Sequence, residues 1–117
     1  MKIVKVIKDY KTQYLDPIEL YVGDQVILGE EEKDDKWIGW IWAESVNNKK
    51  SGWIPMQIID FSSDRKSGTI LQYYTAKELT VNYNDEVEII QDLNGWYWVK
   101  NYKTDEEGWI PSEVISL

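Results

Sequence analysis

An all-β protein made of two small barrels is the fold class this sequence predicts, and three observations predict it. The first is an internal repeat. Residues 40–55 read WIWAESVNNKKSGWIP and residues 96–111 read WYWVKNYKTDEEGWIP, so that twelve positions separate Trp40 from Gly52 and Trp96 from Gly108. Self-similarity at a fixed period marks two copies of one structural unit. The second is alternation with period two, in Ile18, Leu20, Val26 and Leu28 and again in Leu79, Val81, Val87 and Ile89, the pattern of half-buried strands. The third is turn chemistry at short intervals: Asp16-Pro17, Gly23-Asp24, Asn47-Asn48, Asn84-Asp85 and Asn94-Gly95.

The repeat divides the 117 residues into a first domain over 1–61, a linker over 62–68 and a second domain over 69–117. The linker assignment rests on Ser62-Ser63-Asp64-Arg65-Lys66-Ser67-Gly68, which is polar and rich in small residues. Alternating apolar positions supply one core per copy. The first takes Val6, Ile18, Leu20, Val26, Leu28, Ala43, Ile54 and Ile59. The second takes Ile70, Leu79, Val81, Val87, Ile89, Val99, Ile110 and Ile115.

Composition narrows the function. Cysteine and histidine are both absent, which removes disulfides, thiolate metal sites and the commonest general base. No spacing asks for a Ser-Lys or two-carboxylate site, so the chain reads as non-catalytic and without a cofactor. Thirteen basic and 21 acidic residues give a net charge of −8. Both halves are acidic: eight Lys against eleven acids over 1–61 give −3, and five basic residues against ten acids over 62–117 give −5. That charge disfavours nucleic acid and anionic membranes and favours a basic partner. No apolar run reaches signal-peptide or membrane-span length, and the expected location is cytoplasmic. Oligomeric state is not readable from the sequence.

The order of the motifs resembles the Src homology 3 domain, twice. Val6-Ile7-Lys8-Asp9-Tyr10 and Ile70-Leu71-Gln72-Tyr73-Tyr74 match its opening stretch. Ile18-Glu19-Leu20 and Leu79-Thr80-Val81 match the strand after its long acidic loop. Gly23-Asp24 and Asn84-Asp85 match the following turn, Trp40 and Trp96 the groove tryptophan, and Gly52-Trp53-Ile54-Pro55 and Gly108-Trp109-Ile110-Pro111 the closing motif. The flavour is similar to variant Src homology 3 proteins of bacteria that carry two copies. The resemblance implies tandem five-stranded barrels and an interaction module that binds an extended proline-rich or basic peptide, or a protein partner, in an aromatic groove.

Carried across, the first groove consists of Tyr10, Trp40 and Pro55, with Asp16 facing a basic ligand side chain. The second consists of Tyr74, Trp96 and Pro111, with Glu78 in that role. Two family aromatics are replaced in each copy, by Lys8 and Ile58 in the first and by Gln72 and Val114 in the second. The loop from Tyr74 to Leu79 is also shorter than that from Tyr10 to Ile18.

The other tryptophans have a plainer reading. Trp53 and Trp109 are expected to pack, while Trp42 and Trp98 either enlarge a binding surface or form the interface between the copies, with interface or packing the expected role. The run Glu30–Lys36 reads as a solvated loop or as an acidic wall beside a groove. It lacks the spacing of a calcium loop. Carbohydrate or cell-wall binding, through sugar stacking on exposed Trp and Tyr, is the alternative from another class. Base stacking on nucleic acid and carboxylate-based catalysis rank below it.

Overall fold

The computed structural model describes residues 2–12 and 16–116. Twelve strands follow in chain order: β1 (Lys2–Val6), β2 (Glu19–Leu20), β3 (Gln25–Glu31), β4 (Trp40–Ser45), β5 (Ser51–Pro55), β6 (Ile59–Phe61), β7 (Ser67–Ile70), β8 (Tyr74–Thr75), β9 (Glu86–Leu93), β10 (Trp96–Asn101), β11 (Glu107–Pro111) and β12 (Ile115–Ser116). Single 3-10 turns occur at Asp35–Trp37, Met56–Ile58 and Ser112–Val114. The protein is all-β, as predicted. Two five-stranded sheets form, in the orders β5-β4-β3-β7-β6 and β11-β10-β9-β1-β12, together with a two-stranded β2-β8 ribbon. Neither five-stranded sheet closes on itself by hydrogen bonds; each keeps two edges.

The chain divides into two compact units, and they are not the two sequence repeats. One unit is Asp16–Ala76. The other joins Met1–Leu15 to Lys77–Leu117. Each unit therefore takes its opening strand from the other repeat. In the discontinuous unit β1 pairs with β9 (Val4↔Val87, Lys5↔Glu86) and with β12 (Val6↔Ile115). In the continuous unit β7 takes the same place, pairing with β3 (Val26↔Gly68, Gln25↔Thr69) and with β6 (Ile59↔Ile70). Loop bonds repeat the correspondence. Val6 N–H donates to Asp85 O as Ile70 N–H donates to Asp24 O, and Ile7 N–H donates to Val114 O as Leu71 N–H donates to Ile58 O.

This arrangement corrects the expected division into 1–61 and 69–117, and with it the linker. Residues 62–66 are the turn of the β6–β7 hairpin. Ser62 N–H donates to Ser67 O at 3.0 Å, and Arg65 adopts a left-handed φ of 58°. Asp64 Oδ1 accepts from Ser62 Oγ (2.7 Å) and Lys66 N–H (3.0 Å), which holds its carboxyl below the usual range. The physical reason for the exchange is local. A strand that ends at Phe61 and is followed by a turn sequence pairs most cheaply with the next strand, because closing a short loop costs less entropy than closing a long one. β7 then fills the place that β1 was expected to fill, and β1 completes the other unit.

The cores follow the same exchange. Val4 and Val6 pack with Leu79, Val81, Val87, Val99, Ile110, Val114 and Ile115. Ile18, Leu20, Val26, Ala43, Ile54, Ile58 and Ile70 are buried in the continuous unit. Thus Val6 and Ile70 are core residues as predicted, each in the unit opposite to the one expected. Ile89 is partly buried against its core, as are Tyr10 and Tyr97.

Turns set the walls around the sites. Asn94 (φ 49°) and Gly95 (φ 89°) form a two-residue hairpin turn between β9 and β10, with Leu93 opposite Trp96. The equivalent connection before Trp40 is longer. Asp34 caps its 3-10 turn through Lys36 N–H, and Gly39 at φ 99° matches Gly95.

Candidate functional site

Tyr10 leaves the β1 arm through a bridge to Val81, with mutual N–H···O bonds of 2.8 Å. That pairing sets its ring edge-on to Trp96, with centroids 6.2 Å apart at 81°. Its phenol donates to Glu78 Oε1 at 2.6 Å. Trp96 opens β10 opposite Pro111. Tyr10, Glu78 and Trp96 are partly buried, and Pro111, the cross-strand partner of Trp96, is buried. This group offers an aromatic corner with a carboxylate at its side.

In the continuous unit Trp40 opens β4 opposite Pro55. Its ring lies 6.4 Å from that of Tyr74 at 55°. Here Trp40 and Tyr74 are each only 6% exposed and Pro55 is among the fully buried side chains. Asp16 belongs to this unit and pairs with Lys50 Nζ at 2.6 Å.

The expected groove memberships are therefore corrected. Tyr10 sits with Trp96, Pro111 and Glu78, and Tyr74 sits with Trp40 and Pro55. Asp16 is not joined to Tyr10. The cause is the strand exchange, because the tyrosine travels with the opening strand while the tryptophan stays with the later strands. Ile58 and Val114, which replace family aromatics, are buried core residues.

Four of the five remaining tryptophans pack in pairs across β4–β5 and β10–β11. Trp42 faces Trp53 at 5.4 Å and 82°, and Trp98 faces Trp109 at 5.4 Å and 78°. Trp98 Nε1 also donates to Glu107 Oε1 at 2.8 Å. Of the acidic loop, Glu31 pairs with Arg65, and Lys36 lies over the Trp37 ring at 4.9 Å. Among the described residues no group of His, Cys, Asp or Glu has the arrangement of a metal site, and no helix is long and apolar enough to cross a membrane.

A further aromatic group was not foreseen. Tyr21 and Tyr73 lie with centroids 5.3 Å apart at 52°, and Tyr73 Oη donates to Glu19 Oε2 at 2.5 Å. That bond is the main reason the Tyr73 phenol is pushed up to about 12. The nearby negative charge of Glu19 raises Tyr21 as well. Residues 19 and 21 come from one repeat and 73 from the other, so reading each copy separately could not bring them together.

Two small barrel-like β-units, one of them with an aromatic corner beside a carboxylate, define a class of small β-domain. Two family profiles match the sequence: one described as the variant SH3 domain over residues 3–62, the other as the SH3 domain over residues 74–112. The chain belongs to the SH3 domain family, with two copies in tandem. No curated protein matches it, and neither does any solved structure. Domains of this family are in general protein-interaction modules that bind peptides.

Proposed function

We propose that the protein is a non-catalytic, cytoplasmic interaction module whose working groove is the one built from Tyr10, Glu78, Trp96 and Pro111. The observation that carries this reading is the contrast in exposure between the two aromatic groups. Tyr10 and Trp96 are partly exposed, whereas Trp40 and Tyr74 are buried, each 6% exposed. A ligand in polyproline II form presents ridges that insert between aromatic rings, and it is already extended, so little ordering entropy opposes binding. Glu78 supplies a negative charge for an Arg or Lys of such a peptide. Trp40, Tyr74 and Pro55 then serve the stability of the continuous unit.

The test is an NMR titration of the seven indole signals with a proline-rich peptide carrying terminal arginines. Saturable movement of the Trp96 signal, lost in Tyr10→Ala, is the expected result. Movement of Trp40 with Trp96 unchanged would overturn the assignment of the groove. No indole movement with such peptides would overturn the ligand class.

A further inference from the structure

The exchange of strands creates a surface that neither repeat carries. In the β2–β8 ribbon Glu19 faces Thr75 and Leu20 faces Tyr74. The next positions along this antiparallel pair are Tyr21 and Tyr73. Leu20 and Tyr74 point inward, so period-two alternation turns their neighbours outward. Tyr21 is 56% and Tyr73 50% exposed. Two large aromatic rings in mutual contact form a contiguous exposed surface of the kind that partners use.

The chemistry of the pair favours a cation. The rings meet at 52°, so they form an open angle rather than one flat platform. Glu19 accepts from the Tyr73 phenol, and donation to a carboxylate enriches the ring in electron density. Asp24 stands at the other edge, with Oδ2 on Tyr21 N–H (2.9 Å) and Oδ1 on Asn47 Nδ2 (3.2 Å). The unit's own cations Lys36, Lys50 and Arg65 lie elsewhere, over Trp37, on Asp16, and on Glu31 and Phe61. Residues 16–76 hold six basic residues (Lys33, Lys36, Lys49, Lys50, Arg65, Lys66) against eleven acids, a net charge of −5.

We propose that Tyr21, Tyr73 and Glu19 form a second recognition site, separate from the Trp96 groove, that receives an arginine side chain of a basic protein partner. A guanidinium is planar and weakly hydrated, so it stacks on a phenol ring while its N–H groups reach a carboxylate. Glu19 holds the Tyr73 ring in place and supplies that carboxylate. A phenol is neutral throughout the physiological range, and both tyrosines are raised further above it, so the site holds its charge pattern there. A partner that offers a proline-rich stretch to one unit and an arginine to the other gains avidity without a new contact.

The experiment uses the full chain and two small probes, N-acetylarginine amide and its neutral isostere N-acetylcitrulline amide. Tyrosine ring signals are followed by NMR while each is added. The arginine probe is expected to shift the signals of Tyr21 and Tyr73 saturably, with citrulline about tenfold weaker or silent. Tyr73→Ala should abolish the response. Tyr73→Phe keeps the ring and loses the bond to Glu19, and it should weaken binding by about threefold. Trp96→Ala should leave the response intact, which separates this site from the groove. Equal shifts with both probes overturn the proposal. So does a diffuse arginine response that survives Tyr73→Ala, and so does a preference of the tyrosine pair for a chitin oligosaccharide over the arginine probe.

Discussion

The phenol of Tyr10 donates to the carboxylate of Glu78 across 2.6 Å, and these residues stand 68 positions apart in opposite repeats. One hydrogen bond thus records the whole exchange of strands. The equivalent tyrosine, Tyr74, lies against Trp40 of the first repeat. The aromatic sites are products of both copies, and neither copy contains a complete one.

Removal of residues 1–12 tests that exchange directly. The deletion takes away β1 and Tyr10, and with them Val4 and Val6 from the core around Val87 and Val99. The unit Asp16–Ala76 keeps all of its own residues. The indole signals of Trp96, Trp98 and Trp109 are expected to collapse toward random-coil positions, while those of Trp40, Trp42 and Trp53 remain dispersed. Collapse of the second set with retention of the first is the outcome for repeats folded separately, and it would refute the exchange.

The sequence displayed the class of fold through Gly52-Trp53-Ile54-Pro55 and its copy, because strand alternation and turn residues act locally. It also displayed the places of two tryptophans, since Trp40 and Trp96 open β4 and β10 as expected. Partnership was not legible. Val6 and Ile70 are interchangeable apolar residues on strands of the same register, and nothing in their side chains tells which sheet will receive them. The segment Ser62–Gly68 carries the same small polar residues whether it links two domains or turns a hairpin. Burial was hidden for a similar reason: Trp40 and Trp96 hold equal places in the repeat, and only the folded chain distinguishes a buried ring from a partly exposed one.

Gly68 is the tightest backbone approach in the hairpin that replaced the expected linker. A Cβ built there meets Ile59 Cγ2 at 2.4 Å and Asp60 O at 3.2 Å. Its structural counterpart, Val4, tolerates a full side chain opposite Val87. Gly68→Ala is expected to destabilise the continuous unit by about 1–3 kcal/mol through overpacking. Urea unfolding followed on the Trp42 indole should show the lower midpoint, with Trp98 unaffected. A neutral substitution would mean that β7 does not lie against Ile59.

Ser45 and Asn101 occupy equal positions in the repeat and solve burial differently. Asn101 donates from Nδ2 to Asp85 Oδ2 at 3.4 Å and accepts from Lys103 N–H at 2.9 Å. Ser45 is 1% exposed, and among the described residues its Oγ finds no hydrogen-bond partner. A buried hydroxyl without a hydrogen bond carries a desolvation cost. Ser45→Ala is therefore expected to stabilise the continuous unit by roughly 0.5–1.5 kcal/mol, read as a higher urea midpoint. Asn101→Ala should destabilise the other unit, because it leaves Asp85 and the Lys103 amide with one partner fewer. A loss of stability in Ser45→Ala would reveal a hydrogen bond to that hydroxyl.

The bond from Tyr73 to Glu19 predicts a particular response to alkali. A phenol ordinarily titrates at 10.0, and in the folded protein Tyr73 is pushed up to about 12, chiefly by that bond. A raised pKa means that the folded state holds the proton more tightly than the unfolded chain. The contribution to stability is complete below pH 10 and fades as the pH climbs through about 12. Half the side chain is exposed, so solvent screening keeps the effect on stability small. Tyrosinate absorbance is the sharper probe. Wild-type protein should show one phenol ionising late, near pH 12, and Tyr73→Phe should lose that late step without altering the others. Glu19→Gln removes the charge that both accepts the proton donor and repels tyrosinate, so it should return Tyr73 toward the ordinary range and lower Tyr21 with it. A late step that persists in Tyr73→Phe would assign it to another tyrosine and remove the hydrogen bond from the account of this surface.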